Sequence, residues 1–219
     1  MIDYAAARLN MIEGQLRTNG ITDPALVEAF LAVPRERFVP PAWQELAFAD
    51  TEVALSHGKR MLRPMVAGRI LQELGLRGEE EILEIGTGSG YLTACLARLG
   101  GRVRSLELHA DIADFARANL KAAAPTLPYE VVVADGMQLT DESRYDAIVL
   151  TASLPIYEER FERALRPGGR MFVVIGATSL QEASLVRRIS DTEWNRIRLF
   201  ETCIEALEHA PRPPSFVFD

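Results

Sequence analysis

Apolar residues recur with a helical period in the first third of the chain. Four of them share one face of a predicted amphipathic helix over residues 3–18: Ala6, Leu9, Ile12 and Leu16. An Asp23-Pro24 pair predicts the start of a second helix, which ends at Val33-Pro34. Residues 34–56 are rich in proline and aromatic side chains, and we interpret them as a packed extension. A further helix is predicted over residues 64–75.

From residue 81 onward, short apolar runs alternate with helical patterns. The candidate strands are residues 81–85, 102–107, 129–134, 145–151 and 170–175. The candidate helices are residues 91–99, 110–122 and 158–165. Alternating strands and helices are typical of a doubly wound, mostly parallel sheet with helices on both faces. The predicted fold class is therefore α/β.

The pattern changes after Gly176, where two longer strands are predicted over residues 184–190 and 195–206. The polar triplet Asp191-Thr192-Glu193 separates them, which indicates an antiparallel hairpin at the end of the sheet. The proline-rich tail, residues 211–219, is expected to lie on the surface.

The strand at 81–85 runs directly into three glycines at alternate positions, Gly86, Gly88 and Gly90. Glycines let the backbone approach a ligand closely, and the free N–H groups at the start of the next helix face the loop. A dinucleotide site requires the spacing Gly-x-Gly-x-x-Gly, and a P-loop requires a closing Gly-Lys-Ser/Thr. Since this loop has neither, it predicts a different bulky ligand.

Three acidic residues accompany three successive predicted strands. Glu84 precedes the glycine loop, Glu107 ends the next strand, and Asp135 follows the third. A carboxylate at such a strand end suits the hydroxyls of a ribose, and another can accept from the exocyclic amine of adenine. No cluster of cations is placed to hold a pyrophosphate. The arrangement favours a cationic adenosyl ligand over a nucleotide.

Composition narrows the class of protein. The net charge of −7 argues against a general nucleic-acid binder, and no apolar run is long enough to span a membrane. The start of the chain lacks the layout of a signal peptide, so we expect a cytoplasmic protein. Cys95 and Cys203 are expected as buried core thiols. The histidines His57, His109 and His209 show no metal-ligand spacing, so no metal site is predicted.

Several segments carry a family resemblance: Val33-Pro34-Arg35-Glu36-Arg37-Phe38-Val39-Pro40, Ala47-Phe48-Ala49-Asp50, His57-Gly58, Pro64, Leu83 to Tyr91, Asp135-Gly136, Thr151-Ala152 and Leu165-Arg166-Pro167-Gly168-Gly169-Arg170. Over residues 5–176 the chain resembles the protein-L-isoaspartate O-methyltransferases, a branch of the S-adenosylmethionine-dependent methyltransferases. The resemblance implies a Rossmann-like, seven-stranded sheet whose last strand is antiparallel. It also implies an N-terminal helical extension, residues 1–78, that forms part of the acceptor site, and a cofactor-binding core, residues 79–219.

By the same resemblance the cofactor is S-adenosylmethionine, which leaves as S-adenosylhomocysteine. The three loop glycines would line its methionine part, Glu107 would hold the ribose, and Asp135 with Gly136 would hold the adenine. The predicted cofactor-binding residues are Glu84, Gly86, Thr87, Gly88, Ser89, Gly90, Tyr91, Glu107, Leu108, Asp135, Gly136 and Thr151.

The chain departs from the family where the acceptor is expected. The family's Gly-Gln-Thr-Ile-Ser-Gln-Pro segment reads Gly-Lys-Arg-Met-Leu-Arg-Pro over residues 58–64, which places Leu62 at the serine position. An apolar side chain cannot hydrogen-bond a carboxylate. We therefore hypothesise that the cations of this segment recruit an anionic acceptor, and that Arg63 acts in place of the serine. The alternative is that Leu62 packs into the core while Arg63 lies on a solvated face.

Three functions stay open at this point. The first is a methyltransferase that repairs isoaspartyl residues in damaged proteins or peptides. The second is a methyltransferase for another acceptor, such as a small anionic metabolite or a different peptide carboxylate. The third is a cofactor-binding protein without transfer activity, which acts as a regulator or a partner subunit. In each case we expect a monomer that binds neither nucleic acid nor membranes.

Overall fold

The computed structural model describes residues 3–177 and 180–214. The α-helices are α1 (Tyr4–Met11), α2 (Pro24–Ala32), α3 (Pro64–Leu74), α4 (Tyr91–Leu99), α5 (Ala110–Ala123) and α6 (Glu159–Arg163). The strands are β1 (Val53–Ala54), β2 (Arg60–Met61), β3 (Glu81–Ile85), β4 (Arg102–Glu107), β5 (Tyr129–Val133), β6 (Tyr145–Leu154), β7 (Leu165–Ile175), β8 (Gln181–Arg188) and β9 (Trp194–Thr202).

Seven strands form one sheet in the order β5-β4-β3-β6-β7-β8-β9. Strands β3 to β7 are parallel, whereas β8 is antiparallel to both of its neighbours. The predicted fold class and the closing hairpin are confirmed. Because β9 turns back again, the strand that opposes the parallel set is β8 and not the last one.

Several predicted boundaries were wrong by a few residues. Strand β7 begins at Leu165 because that residue already pairs with Tyr145, so the preceding helix α6 is shorter than predicted. The hairpin strands both start and end earlier than their apolar patterns indicated. In the predicted tail, residues 211–214 are exposed, and residues 215–219 lie outside the described residues.

The chain order reverses at β3, which positions the site. From β3 the chain builds outward through β4 to β5, and then returns to β6 on the other side of β3. In open parallel sheets, ligands bind beyond the carboxyl ends of the strands at such a reversal. The glycine loop at residues 86–90 therefore lies at the topological switch point.

The N-terminal segment packs on the same core as the sheet. Helix α1 does not continue to residue 18 as predicted, because a wider π-helical turn (Ile12–Leu16) and a 3-10 turn (Arg17–Asn19) follow it. Apolar side chains of this segment, including the fully buried Leu16 and Phe30, join those of α3 and α4 in one hydrophobic cluster. The division into units 1–78 and 79–219 stays a prediction.

The two cysteines differ in exposure. Cys95 is buried in α4, as predicted, whereas the prediction for Cys203 was wrong because its side chain is exposed. Around Cys203 the extended chain alternates, so that Thr202 and Ile204 point inward and Cys203 points outward. Within the described part of the chain, no helix has the length and apolar character needed to cross a membrane.

Candidate cofactor and acceptor site

A cleft lies at the carboxyl ends of β3, β4, β5 and β6, and we call it the main cleft. It contains about 660 Å³ of empty space, its open mouth included. Its floor is the glycine loop, and its walls are the ends of the four strands together with residues 205–208. A cleft of this size is in the range of cofactor sites, which are typically ~300–1,000 Å³.

Gly86 is required at the floor for two reasons. Its φ of +92° is unfavourable for a side chain, and a Cβ there would lie 2.3 Å from Thr151 Oγ1. The Thr151 hydroxyl approaches closely because it donates to the carbonyls of Ile85 and Gly86 at 3.0 and 2.7 Å. The side chain of Thr151 therefore fixes the loop, and the glycine keeps the floor open.

Beneath the loop, Glu84 forms the centre of a buried polar network. Ser105 and Thr93 each donate a hydroxyl hydrogen bond to Glu84 Oε2, and Thr87 is bonded to Ser105 at 2.6 Å. Glu84 Oε1 is buried without a partner among the described residues. Burial raises the pKa of Glu84 to about 8, although its two hydroxyl donors act in the opposite direction.

Glu107 ends β4 and supports the loop from the side. Its Oε2 accepts from the backbone N–H of Gly88 at 3.0 Å, and its Oε1 accepts from that of His109 at 3.2 Å. Each carboxylate oxygen has a second lone pair. Glu107 lines the main cleft, so it can hold the loop and still accept from the hydroxyls of a ligand.

Asp135 follows β5, and both of its carboxylate oxygens already form hydrogen bonds within the chain, which its position in the sequence did not indicate. Its Oδ1 accepts from the N–H of Met137 at 2.9 Å, and its Oδ2 is bonded to the ring Nδ1 of His209 at 2.8 Å. His209 has a left-handed φ of 62°, which is uncommon for a residue other than glycine. An adenine amine would therefore share Asp135 with this histidine.

Residues 203–210, which we call the C-terminal segment, form one wall of the main cleft. Backbone bonds join it to Ser153, whose N–H donates to Glu205 O and whose carbonyl accepts from Leu207 N–H, both at 2.8 Å. Lys59 Nζ lies 2.9 Å from a carboxylate oxygen of Glu205 and 2.6 Å from one of Glu208. Lys59 and, less strongly, His109 lower the pKa of Glu208 to about 2.

Two histidines, His57 and His109, come together beside this cleft although they are far apart in the chain. The rings of His57 and His109 stack with centroids 4.1 Å apart. His57 also bonds to Asp111 at 2.9 Å, and His109 to Glu208 at 3.0 Å. In the described ranges, no group of histidine, cysteine and acidic residues has the geometry of a metal site.

A second cavity lies on the other side of the glycine loop, and we call it the smaller cavity. It contains about 350 Å³ of empty space and is bounded by the loop and by residues 60–62. Leu62, the predicted acceptor position, lines it and is half-buried. The predicted residues Thr87, Ser89 and Tyr91 line this cavity, whereas Leu108, Gly136 and Asp135 line the main cleft.

A family model described as protein-L-isoaspartate(D-aspartate) O-methyltransferase matches residues 7–204. The chain belongs to this family. A protein-L-isoaspartate O-methyltransferase of Aeropyrum pernix is 38% identical over 216 residues, which are 95% of this chain and 83% of the relative. The enzyme of that name from Methanoculleus marisnigri is 39% identical over 183 residues, 83% of each chain. The family resemblance is thereby confirmed.

Solved structures agree with the fold. One from Plasmodium falciparum is described as a protein-L-isoaspartate O-methyltransferase in complex with S-adenosyl-L-homocysteine. It superposes with a TM-score of 0.82 at 23% identity, and the match covers 95% of this chain and 99% of that one. At this level of identity the similarity supports the fold alone.

The three cations of the family segment lie in different surroundings. Lys59 is held by two carboxylates of the C-terminal segment. Arg60 is exposed and lines both the main cleft and the smaller cavity, with Glu52 at 3.8 Å. Arg63 lines a separate outer groove with Arg69 and Phe200. The structure therefore brings Leu62 to the glycine loop but not Arg63, whose role stays a prediction.

Sequence reasoning assigned no role to Arg35, although it lines the smaller cavity. It is 1% exposed, and its guanidinium lies over the ring of Tyr91 at 4.7 Å. The available signal was an arginine inside the Pro-Arg-Glu-Arg-Phe-Val-Pro motif, which marked the family. The burial of Arg35 could not be predicted from that motif, because two further charged residues, Glu36 and Arg37, follow it directly.

Proposed function

We propose that this chain is an S-adenosylmethionine-dependent carboxyl methyltransferase that methylates L-isoaspartyl residues of damaged proteins or peptides. The observation that carries the proposal is the position of one glycine loop between two cavities. The main cleft suits an adenosyl group, and the smaller cavity brings the family's acceptor segment to the same loop. Membership of the family, and the names of the relatives, support this assignment.

The residues of the site fit the proposed cofactor. The open floor at Gly86 gives a ligand access to the backbone, and Glu107 keeps lone pairs for ribose hydroxyls. The unpartnered Glu84 Oε1 is a buried polar atom that is available to a polar group of the cofactor. When bound, the cofactor supplies a methyl group on a sulfonium that carries its own leaving group.

The chain's part in the reaction is to bind and orient the acceptor. An aspartyl-type carboxyl has an ordinary pKa of about 4, so the acceptor is ionised at neutral pH without a general base. Orientation in a closed site contributes several kcal/mol to such a displacement. Leu62 and its neighbours exclude water on the acceptor side, and the C-terminal segment covers the cofactor side.

The decisive experiment measures transfer of labelled methyl groups to an isoaspartyl peptide. A peptide with an ordinary aspartyl residue at the same place is the control. We expect transfer to the isoaspartyl peptide alone, and calorimetric binding of S-adenosylhomocysteine. If S-adenosylhomocysteine does not bind, the cofactor assignment is wrong. If it binds but no peptide is methylated, the acceptor assignment is wrong.

Leu62 supports two further candidates: a methyltransferase for another anionic acceptor, and a cofactor-binding protein without transfer activity. Its side chain offers no hydrogen bond where the family has a serine hydroxyl. A screen of small carboxylates with labelled cofactor separates these two alternatives. A monomeric state, a cytoplasmic location and the lack of nucleic-acid and membrane partners stay predictions.

A further inference from the structure

Arg35 is a buried cation whose hydrogen bonds, within the described part of the chain, go to backbone carbonyls. Its Nε donates to the carbonyl of Ala47 at 2.8 Å, and its Nη2 donates to the carbonyl of Leu62 at 2.7 Å. Among the described residues, no carboxylate forms an ion pair with it. Burial lowers the pKa of its guanidinium, and Tyr91 partly offsets this effect. A buried charge is costly unless it is paired, so a missing anion requires an explanation.

The third nitrogen of the Arg35 guanidinium indicates where such an anion would bind. Arg35 Nη1 is buried and has no hydrogen-bond partner in the described part of the chain. Oε1 of Glu84 shares this property, and both residues line the smaller cavity. Buried polar groups without partners are rare in folded proteins, and two around one cavity indicate a polar ligand.

We propose that Arg35 recognises a carboxylate that enters the smaller cavity, and that it is a specificity-determining residue of the site. The inference rests on the proposed function, since both reactants carry a carboxylate. Two backbone carbonyls hold the guanidinium in place before a ligand arrives. A fixed guanidinium is a strong and directional partner for a carboxylate.

The three cations of residues 58–64 are less suited to this role than Arg35. Lys59 already contacts two carboxylates, and Arg63 faces the outer groove. Arg60 reaches the cavity but is exposed, so water weakens its attraction for an anion. Of these four cations, Arg35 is the one that combines burial, a fixed position and an unused donor. With Leu62 in place of a serine, it supplies a polar contact that the Leu62 side chain cannot make.

Two sources of the carboxylate are distinguishable: the amino-acid end of the cofactor, and the acceptor. The test compares wild type, Arg35→Gln and Arg35→Lys by calorimetry with S-adenosylhomocysteine and with 5′-methylthioadenosine, which lacks the amino-acid end. The Michaelis constant for an isoaspartyl peptide is measured alongside. Arg188→Gln is the matched control, because Arg188 is also buried and donates to backbone carbonyls, but lies outside both cavities.

If the cofactor supplies the carboxylate, Arg35→Gln weakens S-adenosylhomocysteine binding about 10- to 100-fold and leaves 5′-methylthioadenosine unchanged. If the acceptor supplies it, cofactor affinity is unchanged and the peptide KM rises by the same factor, more than kcat falls. In either case Arg35→Lys restores part of the loss. The proposal is overturned if Arg35→Gln changes neither quantity, or weakens both adenosyl ligands equally.

A measurement on the wild-type chain covers the case in which Arg35→Gln does not fold. The ¹⁵N guanidinium resonance of Arg35, assigned by its loss in Arg35→Lys, is followed during titration. It should shift with S-adenosylhomocysteine but not with 5′-methylthioadenosine, or only when the isoaspartyl peptide is added. No shift with any of them contradicts the inference. A wild-type chain that binds neither adenosyl ligand contradicts the proposed function instead.

Discussion

The main cleft and the smaller cavity share the glycine loop, but they differ in how their polar groups are satisfied. In the main cleft, Glu107, Asp135 and Thr151 all form hydrogen bonds within the chain. In the smaller cavity, Arg35 and Glu84 each keep a buried polar atom without a partner among the described residues. The chain alone therefore holds the main cleft in shape, whereas the smaller cavity is complete only with a ligand.

This difference predicts different consequences for substitutions. A change in the main cleft disturbs bonds that hold the loop, so it affects both stability and cofactor affinity. A change in the smaller cavity removes a group that waits for a ligand, so it affects recognition more than stability. Four substitutions follow, from the largest expected effect to the smallest: at the loop floor between the cavities, in the network beneath the loop, at the acceptor position of the smaller cavity, and in the outer groove apart from both.

Gly86→Ala should have the largest effect. The new Cβ would lie 2.3 Å from Thr151 Oγ1, at a backbone φ of +92° that disfavours any side chain. We expect binding of S-adenosylhomocysteine to weaken at least ~100-fold, about 2.7 kcal/mol, together with a lower melting temperature. Gly14→Ala is the control, because a Cβ there meets no atom within 4 Å. Equal affinities for both variants would show that the floor does not need a glycine.

Glu84→Gln tests the network beneath the loop through the pH dependence of stability. The folded pKa of about 8 lies above the ordinary value of 4.5, so the folded state retains a proton that the unfolded state releases. Stability without ligand is therefore full below about pH 4.5 and falls as the pH rises towards 8. Thermal melts across this range should decline for wild type.

The same melts should be flatter for Glu84→Gln, whose side chain does not titrate. Glu130→Gln, on the exposed side of β5, is the matched control and should behave as wild type. If wild type is flat from pH 5 to 8, Glu84 is already ionised in the folded chain, and its burial is offset by donors that the network does not reveal.

Leu62→Ser tests whether the acceptor side is limited by the missing hydroxyl. A hydrogen bond to a charged group contributes roughly 1.5–3 kcal/mol. We expect methylation of an isoaspartyl peptide, measured as kcat/KM, to rise about tenfold while affinity for S-adenosylhomocysteine stays constant. Leu62→Ala is the control for lost bulk. A rise of equal size in both variants would assign the effect to space and not to the hydroxyl.

Arg63→Ala should have the smallest effect. Because Arg63 faces the outer groove, it can reach only parts of an acceptor that lie away from the reacting carboxylate. We expect the peptide KM to rise a few-fold, since exposed charge pairs contribute only ~0.2–1 kcal/mol. Cofactor affinity should not change. Arg69→Ala, in the same groove, is the companion variant, and a loss of cofactor binding in Arg63→Ala would contradict this placement.

Most of the sheet could be predicted because buried parallel strands form short apolar runs. The strand at 81–85 was predicted with its observed bounds, and so was that at 102–107. The start of β7 was not predicted correctly, because Arg166-Pro167-Gly168-Gly169 has the composition of a turn. That stretch forms a bulge inside the strand, because Leu165 before it pairs with Tyr145 and Arg170 after it pairs with Ala147. Both pairs join separate parts of the chain.

The site residues also divide into those that local sequence patterns predicted and those that depend on contacts between distant residues. The loop glycines and the acidic residues at strand ends follow from local spacing, and the fold gathers them around one loop. The pairing of His209 with Asp135 joins residues 74 positions apart, so no local pattern could show it. The exposure of Cys203 depended on which face of an extended segment turned inward.

The order of amino acids alone indicated an α/β sheet, a glycine loop at its switch point and the family of the chain, since each depends on neighbouring residues. The tertiary structure alone decided that this loop separates two cavities, and which polar groups around them are satisfied. Arg35 shows why: its charge is visible in the sequence, but its burial, its carbonyl partners and its unused donor arise only from segments that folding brings together.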